Sequence, residues 1–369
     1  MQERMPSLED PIGSESMVFL IGSPRSGSTL LSRMLGAHSK IFAPEEPHLI
    51  TPLAHLGYFE SVDEAAYDPV ITRQAARAMV GGLKGGEAEY LAALRRYTNA
   101  VYRGLLDAHQ GQRSDPEQRP PLLILDKTPA YALSLDFLSR LYPEARYIVL
   151  TRHPIAVWSS FVESFFDGDD AVAHGHNPLL ERYVPAIGRF LREAETTPRA
   201  SGKALRIHRV RYENLVQEPE LNAREIAGFL GIEFEENMVN YGAAPDARGE
   251  STRGLGDPMT VAKENRPTTK SLSKWAEAAS GRADRVELYE KMLARLLDQD
   301  LETWGFTRAE IQAELSAIDL QGSPKKAAPL TRYSLERKVL VEVRRRIRPE
   351  NALGKLVRKV RETCDVLLR

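Results

Sequence analysis

The stretch Met17-Val-Phe-Leu-Ile-Gly-Ser-Pro-Arg-Ser-Gly-Ser-Thr-Leu-Leu31 decides the fold of this chain. It opens with a short apolar run that ends at Gly22, which is typical of a buried parallel strand. A turn rich in glycine and serine follows, and leucine and methionine then recur at helical spacing as far as Leu35. This order of strand, turn and helix predicts a cradle for an anion, because the turn offers backbone N–H groups and the helix offers its positive end.

The turn from Gly22 to Thr29 has the spacing of a Walker A phosphate loop, but Ser28 stands where that motif has lysine. An NTPase uses this lysine to bind the β- and γ-phosphates, so its absence disfavours a nucleoside triphosphate. Arg25 lies inside the turn and offers a planar guanidinium to a phosphate or a sulfonate. The loop therefore predicts a ligand with one short anionic chain, such as a 5′-phosphosulfate. A turn that only caps a helix, and an NTPase that uses Lys127 instead, are the alternatives.

Strand and helix patterns alternate beyond this loop. Apolar or alternating runs predict strands at 122–125, 147–150 and 205–210, and helical spacing predicts helices at 63–108 with a break at 81–86, 133–141, 154–166, 179–195 and 219–230. The segment 167–177 is rich in Gly, Asp and His and is predicted as a loop. This alternation predicts an α/β fold, with a P-loop-type parallel β-sheet flanked by helices.

Charge is unevenly distributed along the chain. The net charge is −1, but residues 331–369 contain 12 Lys and Arg against 5 Asp and Glu. Helical spacing of apolar residues predicts two basic amphipathic helices there. We therefore divide the chain into a flexible N-terminus at 1–16, an α/β domain at 17–305 and a basic helical extension at 306–369. Such an extension can bind an anionic membrane, a nucleic acid or an acidic protein, or pack on the acidic body of its own chain.

A second motif, Arg152-His-Pro-Ile-Ala-Val-Trp-Ser-Ser160, follows the predicted strand at 147–150. Pro154 suits the first turn of a helix. Arg152 and Ser160 are eight residues apart, so one precedes the helix and the other lies two turns into it. The pair can therefore bind one anion beside the helix start. Taken singly, each is more often an ordinary surface arginine or helix serine.

The two motifs together resemble those of sulfotransferases that use 3′-phosphoadenosine-5′-phosphosulfate (PAPS), and the resemblance extends over residues 17–275. In that family the first loop holds the 5′-phosphosulfate and a later Arg…Ser pair holds the 3′-phosphate. The resemblance implies that Arg152 and Ser160 bind the 3′-phosphate. It assigns the 5′ end of PAPS to the loop residues Ser23, Pro24, Arg25, Ser26, Gly27, Ser28 and Thr29.

Two branches of the family share finer detail with this chain. The loop resembles that of the tyrosylprotein sulfotransferases and that of the sulfotransferase domains of bacterial polyketide and olefin synthases. The synthase domains also have a Pro-Glu-x-His-Leu segment, similar to Glu45-Glu-Pro-His-Leu49 here, and a Gly-Asp-Pro, similar to Gly256-Asp-Pro258. We therefore favour the bacterial type of domain.

The resemblance also implies catalytic roles. Glu46 aligns with the general base, and His48 is the alternative base or a residue that orients the acceptor. Arg25 would stabilise charge on the sulfuryl group and on the leaving phosphate, and Lys127 would stabilise the transferring group or protonate the bridging oxygen.

Two further residues are assigned to the nucleotide. Tyr212 resembles a family tyrosine that contacts the nucleotide, and a core aromatic is its alternative role. Lys263, Arg266 and Lys270 lie in a polar loop, where the family often closes over the 3′-phosphate. We favour Arg266 among these three.

The implied reaction is sulfuryl transfer from PAPS to an acceptor hydroxyl, with PAP as product and no metal. An acyl chain on a carrier protein or a small natural product is the favoured acceptor, and a peptide tyrosine or a glycan stays open. The helical insert at 63–108 is expected on the acceptor side of the site. The basic extension is a candidate for peripheral contact with an anionic membrane or an acidic protein, and no nucleic acid partner is expected.

The cellular location follows from other features. Cys364 is the single cysteine, and the polar N-terminus lacks the apolar core of a secretory signal, so a cytoplasmic protein is expected. A P-loop nucleotide kinase or NTPase is one alternative function. Non-catalytic binding of an anionic membrane or a nucleic acid through the basic extension is the other.

Overall fold

A five-stranded parallel sheet lies at the centre of the protein, whose structure is a computed structural model. The structure describes residues 13–44, 46–54, 69–111, 123–166, 168–196, 204–243 and 264–321, together with positions 335, 339, 352, 354–356 and 359–360. The strands are β1 (Met17–Gly22), β2 (Ile41–Phe42), β3 (Leu123–Asp126), β4 (Arg146–Thr151) and β5 (Arg206–Arg211). They lie in the order β2-β3-β1-β4-β5, and all are parallel. The predicted α/β class is confirmed.

Helices surround the sheet. They are α1 (Ser28–Gly36), α2 (Ile50–Ala54), α3 (Pro69–Gly82), α4 (Gly86–Gly111), α5 (Leu135–Leu141), α6 (Pro154–Phe165), α7 (Asp170–His176), α8 (Leu179–Thr196), α9 (Tyr212–Gln217), α10 (Pro219–Leu230), α11 (Lys274–Ala279), α12 (Ala283–Leu293), α13 (Asp298–Trp304) and α14 (Arg308–Ser316). Within the described ranges, no helix combines the length and the apolar character that crossing a bilayer requires.

Both faces of the sheet are buried. In β1, Met17, Phe19 and Ile21 point into one hydrophobic cluster, and Val18 and Leu20 point into a second cluster on the opposite face. Residues of α5, α6, α8, α12 and α13 build the first cluster, and residues of α1, α9 and α10 build the second. Alternate residues of a strand face opposite sides, so an unbroken apolar strand such as β1 is stable only where helices cover both faces.

The predicted helical insert is present where the structure describes it. Helix α3 begins at Pro69, and the break between α3 and α4 falls at 83–85, inside the predicted interruption. Tyr102 and Leu106 of α4 are buried in the first cluster and anchor the insert to the sheet. Residues 63–68 lie outside the described ranges.

The prediction of a loop at 167–177 is wrong, because α7 occupies most of that segment. Asp169 caps the helix by accepting a hydrogen bond from the backbone N–H of Val172 at 3.0 Å. Ala173 is buried in the first cluster. Asp, Gly and His favour turns, but Asp also favours the N-cap position of a helix. Tertiary packing stabilises the helix in this segment.

The described part of the C-terminal segment packs on the sheet domain. Phe306, Ile311 and Leu315 are buried in the first hydrophobic cluster. Beyond residue 321 the few described positions are helical, and four apolar side chains among them are more than half exposed: Leu335, Val339, Leu356 and Val360. The two predicted basic helices lie largely outside the described residues, so the division at 305 stays a prediction.

His153 forms the start of α6. Its Nδ1 accepts a hydrogen bond from the backbone N–H of Ala156 at 3.3 Å and caps the helix. The ring stacks on Trp275 at 4.7 Å between centroids and meets the edge of Phe306 at 5.4 Å. This imidazole is therefore a packing element that joins α6 to the C-terminal helices.

Burial, together with the positive charges of Arg152 and Arg211, lowers the pKa of His153 to about 3. The half-exposed carboxylate of Glu314, 3.3 Å from His153 Nε2, does not outweigh these effects. In the unfolded chain the pKa returns toward 6.5, so the unfolded state binds one more proton than the folded state between these two values. Stability that is present above pH 6.5 is therefore lost as the pH falls.

We expect His153→Asn, which keeps a helix cap, to remove this acid sensitivity. Between pH 7 and pH 5, His153 should cost the wild type about 2 kcal/mol of unfolding free energy, and the variant should not lose it. The unfolding free energy of the wild type minus that of the variant should therefore fall by that amount from pH 7 to pH 5. Urea denaturation followed by tryptophan fluorescence measures both free energies. A difference that is the same at both pH values would contradict the assignment.

Candidate active site

The segments that carry the predicted site residues follow the carboxyl ends of strands. The loop with Arg25 follows β1, Lys127 follows β3, Arg152 follows β4 and Tyr212 follows β5. In a parallel sheet these ends lie at one edge, so segments that are distant in sequence meet there. β1 lies between β3 and β4, where the chain passes from one side of the sheet to the other. Open α/β sheets bind ligands at such a switch point.

The loop after β1 has an unusual backbone. Arg25 has a φ of 69°, a region that disfavours residues other than glycine, and such strain clusters at functional sites. Ser26 Oγ donates to the Ser23 carbonyl at 2.8 Å and closes the turn. Gly27 has a φ of 96°, and a Cβ atom there would lie 2.3 Å from Tyr212 Cδ2. Glycine is therefore required, and the tyrosine ring packs directly against the loop.

The N-terminus of helix α1 offers hydrogen-bond donors to an anion. Gly27 stands at its N-cap position and makes no side-chain cap. The first N–H groups of a helix have no partner within the helix, and they attract negative charge. Ser28 and Thr29 are the first two helical residues and add hydroxyl groups to this donor set.

The two sequence motifs are in direct contact. Arg25 Nε donates to Ser160 Oγ at 3.2 Å, and Arg152 Nη1 donates to the Arg25 carbonyl at 3.0 Å. Arg152 Nη2 also donates to the carbonyl of Ser271 at 3.1 Å. The loop after β1, the start of α6 and a C-terminal segment are thus tied together by one buried arginine.

Strand register explains the place of Tyr212. β4 and β5 pair Thr151 with Arg211, so the next residues, Arg152 and Tyr212, leave the sheet side by side. The Arg152 guanidinium lies 4.3 Å from the centre of the Tyr212 ring. Tyr212 Oη is 2.6 Å from Ser271 Oγ. Tyr212 is therefore part of the site and packs against the arginine as well as the loop.

A cavity of about 400 Å³ lies between these segments. Eight of the predicted residues line it: Arg25, Gly27, Ser28, Thr29, Arg152, Ser160, Tyr212 and Arg266. Ser23, Pro24 and Ser26 are not part of this wall. The lining also includes two further cations, two carboxylates and two aromatic rings: Lys270, Lys274, Glu163, Glu264, Tyr241 and Trp275. Cations outnumber carboxylates, and aromatic side chains stand beside them, which suits an anionic ligand with a planar ring system.

Glu46, His48 and Lys127 form a second group beside the loop. Lys127 Nζ donates to Glu46 Oε1, and it lies 3.5 Å from Thr29 Oγ1. His48 Nε2 lies 3.6 Å from Glu46 Oε2. Lys127 is 4% exposed and His48 has a φ of 49°. Glu46 therefore stands between a buried ammonium and an imidazole, and the group reaches the cavity through Thr29.

A buried carboxylate precedes this lysine in the chain. Asp126 accepts hydrogen bonds from the hydroxyls of Tyr102, Tyr131 at 3.0 Å and Thr128 at 3.0 Å. Burial raises the pKa of Asp126 to about 6, even though the three hydrogen-bond donors act in the opposite direction.

Sequence reasoning did not assign Ser271, Tyr241, Tyr102 or Tyr131 to the site. None of these residues belongs to a motif, and their partners come from distant segments. In the described ranges, no three His, Cys, Asp or Glu side chains gather as they would around a metal ion. Gly256–Pro258 and Lys263 lie outside those ranges.

Known proteins share this sequence in part. The nodulation protein NoeE of Sinorhizobium fredii is 31% identical over 234 residues, which are 58% of this chain and 50% of that protein. The chain thus spans about half the length of that relative. Protein-tyrosine sulfotransferase 1 of Danio rerio is 25% identical over 327 residues, covering 85% of this chain and 81% of that protein.

A solved structure is also similar. The sulfotransferase domain of the Synechococcus PCC 7002 olefin synthase is 26% identical, with coverage of 79% of this chain and 98% of that chain. The superposition has a TM-score of 0.43.

The family model of the sulfotransferases matches residues 17–236 of this chain. That range contains β1, the loop after it, the segment with Glu46, and the motif from Arg152 to Ser160. It covers more than half of the chain and most of the site described above. The chain therefore belongs to the sulfotransferase family.

Proposed function

We propose that this protein transfers the sulfuryl group of PAPS to an acceptor hydroxyl by in-line displacement. The observation that carries the proposal is the direct contact between two anion-binding motifs in one cavity, from Arg25 to Ser160 and from Arg152 to the Arg25 carbonyl. A ligand held by both motifs needs two separate anionic groups. An adenosine with a 3′-phosphate and a 5′-phosphosulfate has them.

The cavity residues match the parts of such a ligand. The N–H groups at the start of α1, with Ser28, Thr29 and Arg25, would hold the 5′ end. Arg152, Ser160 and Arg266 would hold the 3′-phosphate. PAPS, when bound, supplies a sulfuryl group on a phosphate leaving group.

The group around Glu46 provides the chemistry on the acceptor side. A neutral hydroxyl is a weak nucleophile, and a carboxylate that takes its proton accelerates transfer by about 10²–10⁴-fold. The contact of Lys127 with Glu46 and Thr29 places a positive charge between the proposed base and the loop. Lys127 and Arg25 would stabilise the charge that develops during transfer. His48, which is 43% exposed at its side chain, would orient the acceptor.

The alternative of a P-loop kinase or NTPase fits less well. The loop has Ser28 in place of the phosphate-binding lysine, and Lys127, the candidate substitute, is paired with Glu46. A nucleoside triphosphate also has no 3′-phosphate for the Arg152 motif.

The favoured acceptor is an acyl chain on a carrier protein or a small natural product, and a peptide tyrosine or a glycan is the alternative. The basic extension stays a candidate for contact with an anionic membrane or an acidic protein, in keeping with its charge.

Ser160→Ala should weaken PAP binding more than adenosine 5′-phosphate binding, because the hydroxyl would contact the 3′-phosphate directly and the 5′ end only through Arg25. One hydrogen bond to a charged group contributes about 1.5–3 kcal/mol, or about 10- to 100-fold in Kd. Isothermal titration calorimetry with PAP, adenosine 5′-phosphate and ATP measures the three Kd values.

Ser164→Ala is the matched control for that experiment. Ser164 lies one turn further along α6 and lines the same cavity. It should leave the preference for PAP unchanged. A wild-type protein that binds PAP no better than adenosine 5′-phosphate would overturn the proposed 3′-phosphate site, and tighter binding of ATP would favour the NTPase.

Glu46→Gln should lower kcat by about 10²–10⁴-fold and leave the Kd of PAP unchanged, because the base acts on the acceptor. Transfer of labelled sulfate from PAPS is measured on 4-nitrophenol, a 3-hydroxyacyl pantetheine, a tyrosine peptide and an oligosaccharide.

Glu45→Gln makes the same change of charge one residue away and should retain activity. His48→Gln separates the two candidate bases. A large loss of kcat in His48→Gln together with an active Glu46→Gln would identify the histidine as the base instead.

A further inference from the structure

The hydroxyl of Tyr131 joins two segments that carry proposed catalytic residues. It donates to Asp126 Oδ2 at 3.0 Å and accepts from the backbone N–H of Ile50 at 3.1 Å. Asp126 directly precedes Lys127 in the chain, and Ile50 comes four residues after Glu46. One hydroxyl therefore ties the end of β3 to the segment with the proposed base.

The surroundings keep this hydroxyl in place. Tyr131 is 0% exposed, and its ring meets the edge of Phe19 of β1 at 6.4 Å between centroids. Asp126 is also fully buried, so its carboxylate cannot exchange the tyrosine for bulk water. A buried group that loses its hydrogen bond bears the full desolvation cost, which opposes any shift of either segment.

The contact between Glu46 and Lys127 needs such a link. Glu46 follows β2 and Lys127 follows β3, so the two side chains sit on separate loops. Lys127 Nζ contacts both Glu46 Oε1 and Thr29 Oγ1. A small movement of one loop would therefore separate the base from the ammonium, or the ammonium from the phosphate loop.

We propose that Tyr131 is a positioning residue for sulfuryl transfer, because its hydroxyl sets the place of Glu46 relative to Lys127. This inference rests on the proposed function of the site. A misplacement of about 1 Å can cost about 10²-fold in rate. Tyr131 affects the reaction through the two segments that carry Glu46 and Lys127.

Tyr142 is a matched control. It is also fully buried, and its ring lies 5.2 Å from that of Phe19 between centroids. Its hydroxyl is hydrogen-bonded to Thr98 and Asn99, both in α4, which carries none of the proposed catalytic residues. Tyr142→Phe and Tyr131→Phe each remove one buried, hydrogen-bonded hydroxyl and keep the ring.

The first measurement does not depend on catalysis. Lys127 is labelled with acetic anhydride in the folded protein, and mass spectrometry compares its rate with those of the exposed Lys274 and Lys291. In Tyr131→Phe the lysine should label about tenfold faster than in the wild type, because one buried hydrogen bond that restrains its segment is lost. Tyr142→Phe should label at the wild-type rate.

The second measurement uses the best acceptor of the panel. Tyr131→Phe should lower kcat by about 10- to 100-fold, with the Kd of PAP unchanged within about twofold. Tyr142→Phe should lose a similar amount of thermal stability and keep its kcat.

The outcomes separate the two proposals. Unchanged labelling of Lys127 in Tyr131→Phe, or equal effects of both variants on labelling and kcat, would overturn the positioning role. Faster labelling in Tyr131→Phe alone supports the link between the two segments, even where the wild type transfers sulfate to no acceptor. A wild type that also binds PAP no better than adenosine 5′-phosphate would overturn the proposed function and leave the structural link standing.

Discussion

The hydrogen bonds that join Arg25 to Ser160 and Arg152 to the Arg25 carbonyl are the interactions on which the site depends. They connect the loop after β1 to the segment after β4, and these strands are neighbours in the sheet. Because both segments leave the same edge at adjacent positions, two motifs that are more than a hundred residues apart become one wall of one cavity. The parallel sheet makes this possible, since it gathers the carboxyl ends of its strands.

Buried charge is the second constraint. Lys127 and Asp126 are adjacent in sequence and both almost inaccessible to water, which is costly unless each has a partner. Lys127 has Glu46, and Asp126 has three hydroxyl donors. These partners come from the segment after β2, from α4 and from the turn after β3, so hydrogen bonds at the sheet edge hold these segments together with the first hydrophobic cluster.

Local signals were enough for much of the fold. The apolar run Met17–Ile21 with its glycine-rich turn predicts β1, the loop and α1, because burial and backbone conformation there depend on neighbours in sequence. The spacing from Arg152 to Ser160 predicts a turn into α6 for the same reason. The segment at 167–177 shows the limit of local signals. Asp169 is compatible with a loop or with a helix cap, and the packing of Ala173 against the core stabilises the helix.

The sequence by itself determined the class of fold, the turn between β1 and α1, and the places of Arg152 before α6 and of Ser160 within it, since each rests on residues within a few turns of one another. Only the tertiary structure decided that Tyr131 reaches Ile50, 81 residues away, and that Arg152 reaches Ser271, 119 residues away. Those contacts depend on the order of the strands in the sheet. No local periodicity or motif encodes that order, because it is set by which buried faces fit together when the whole chain packs.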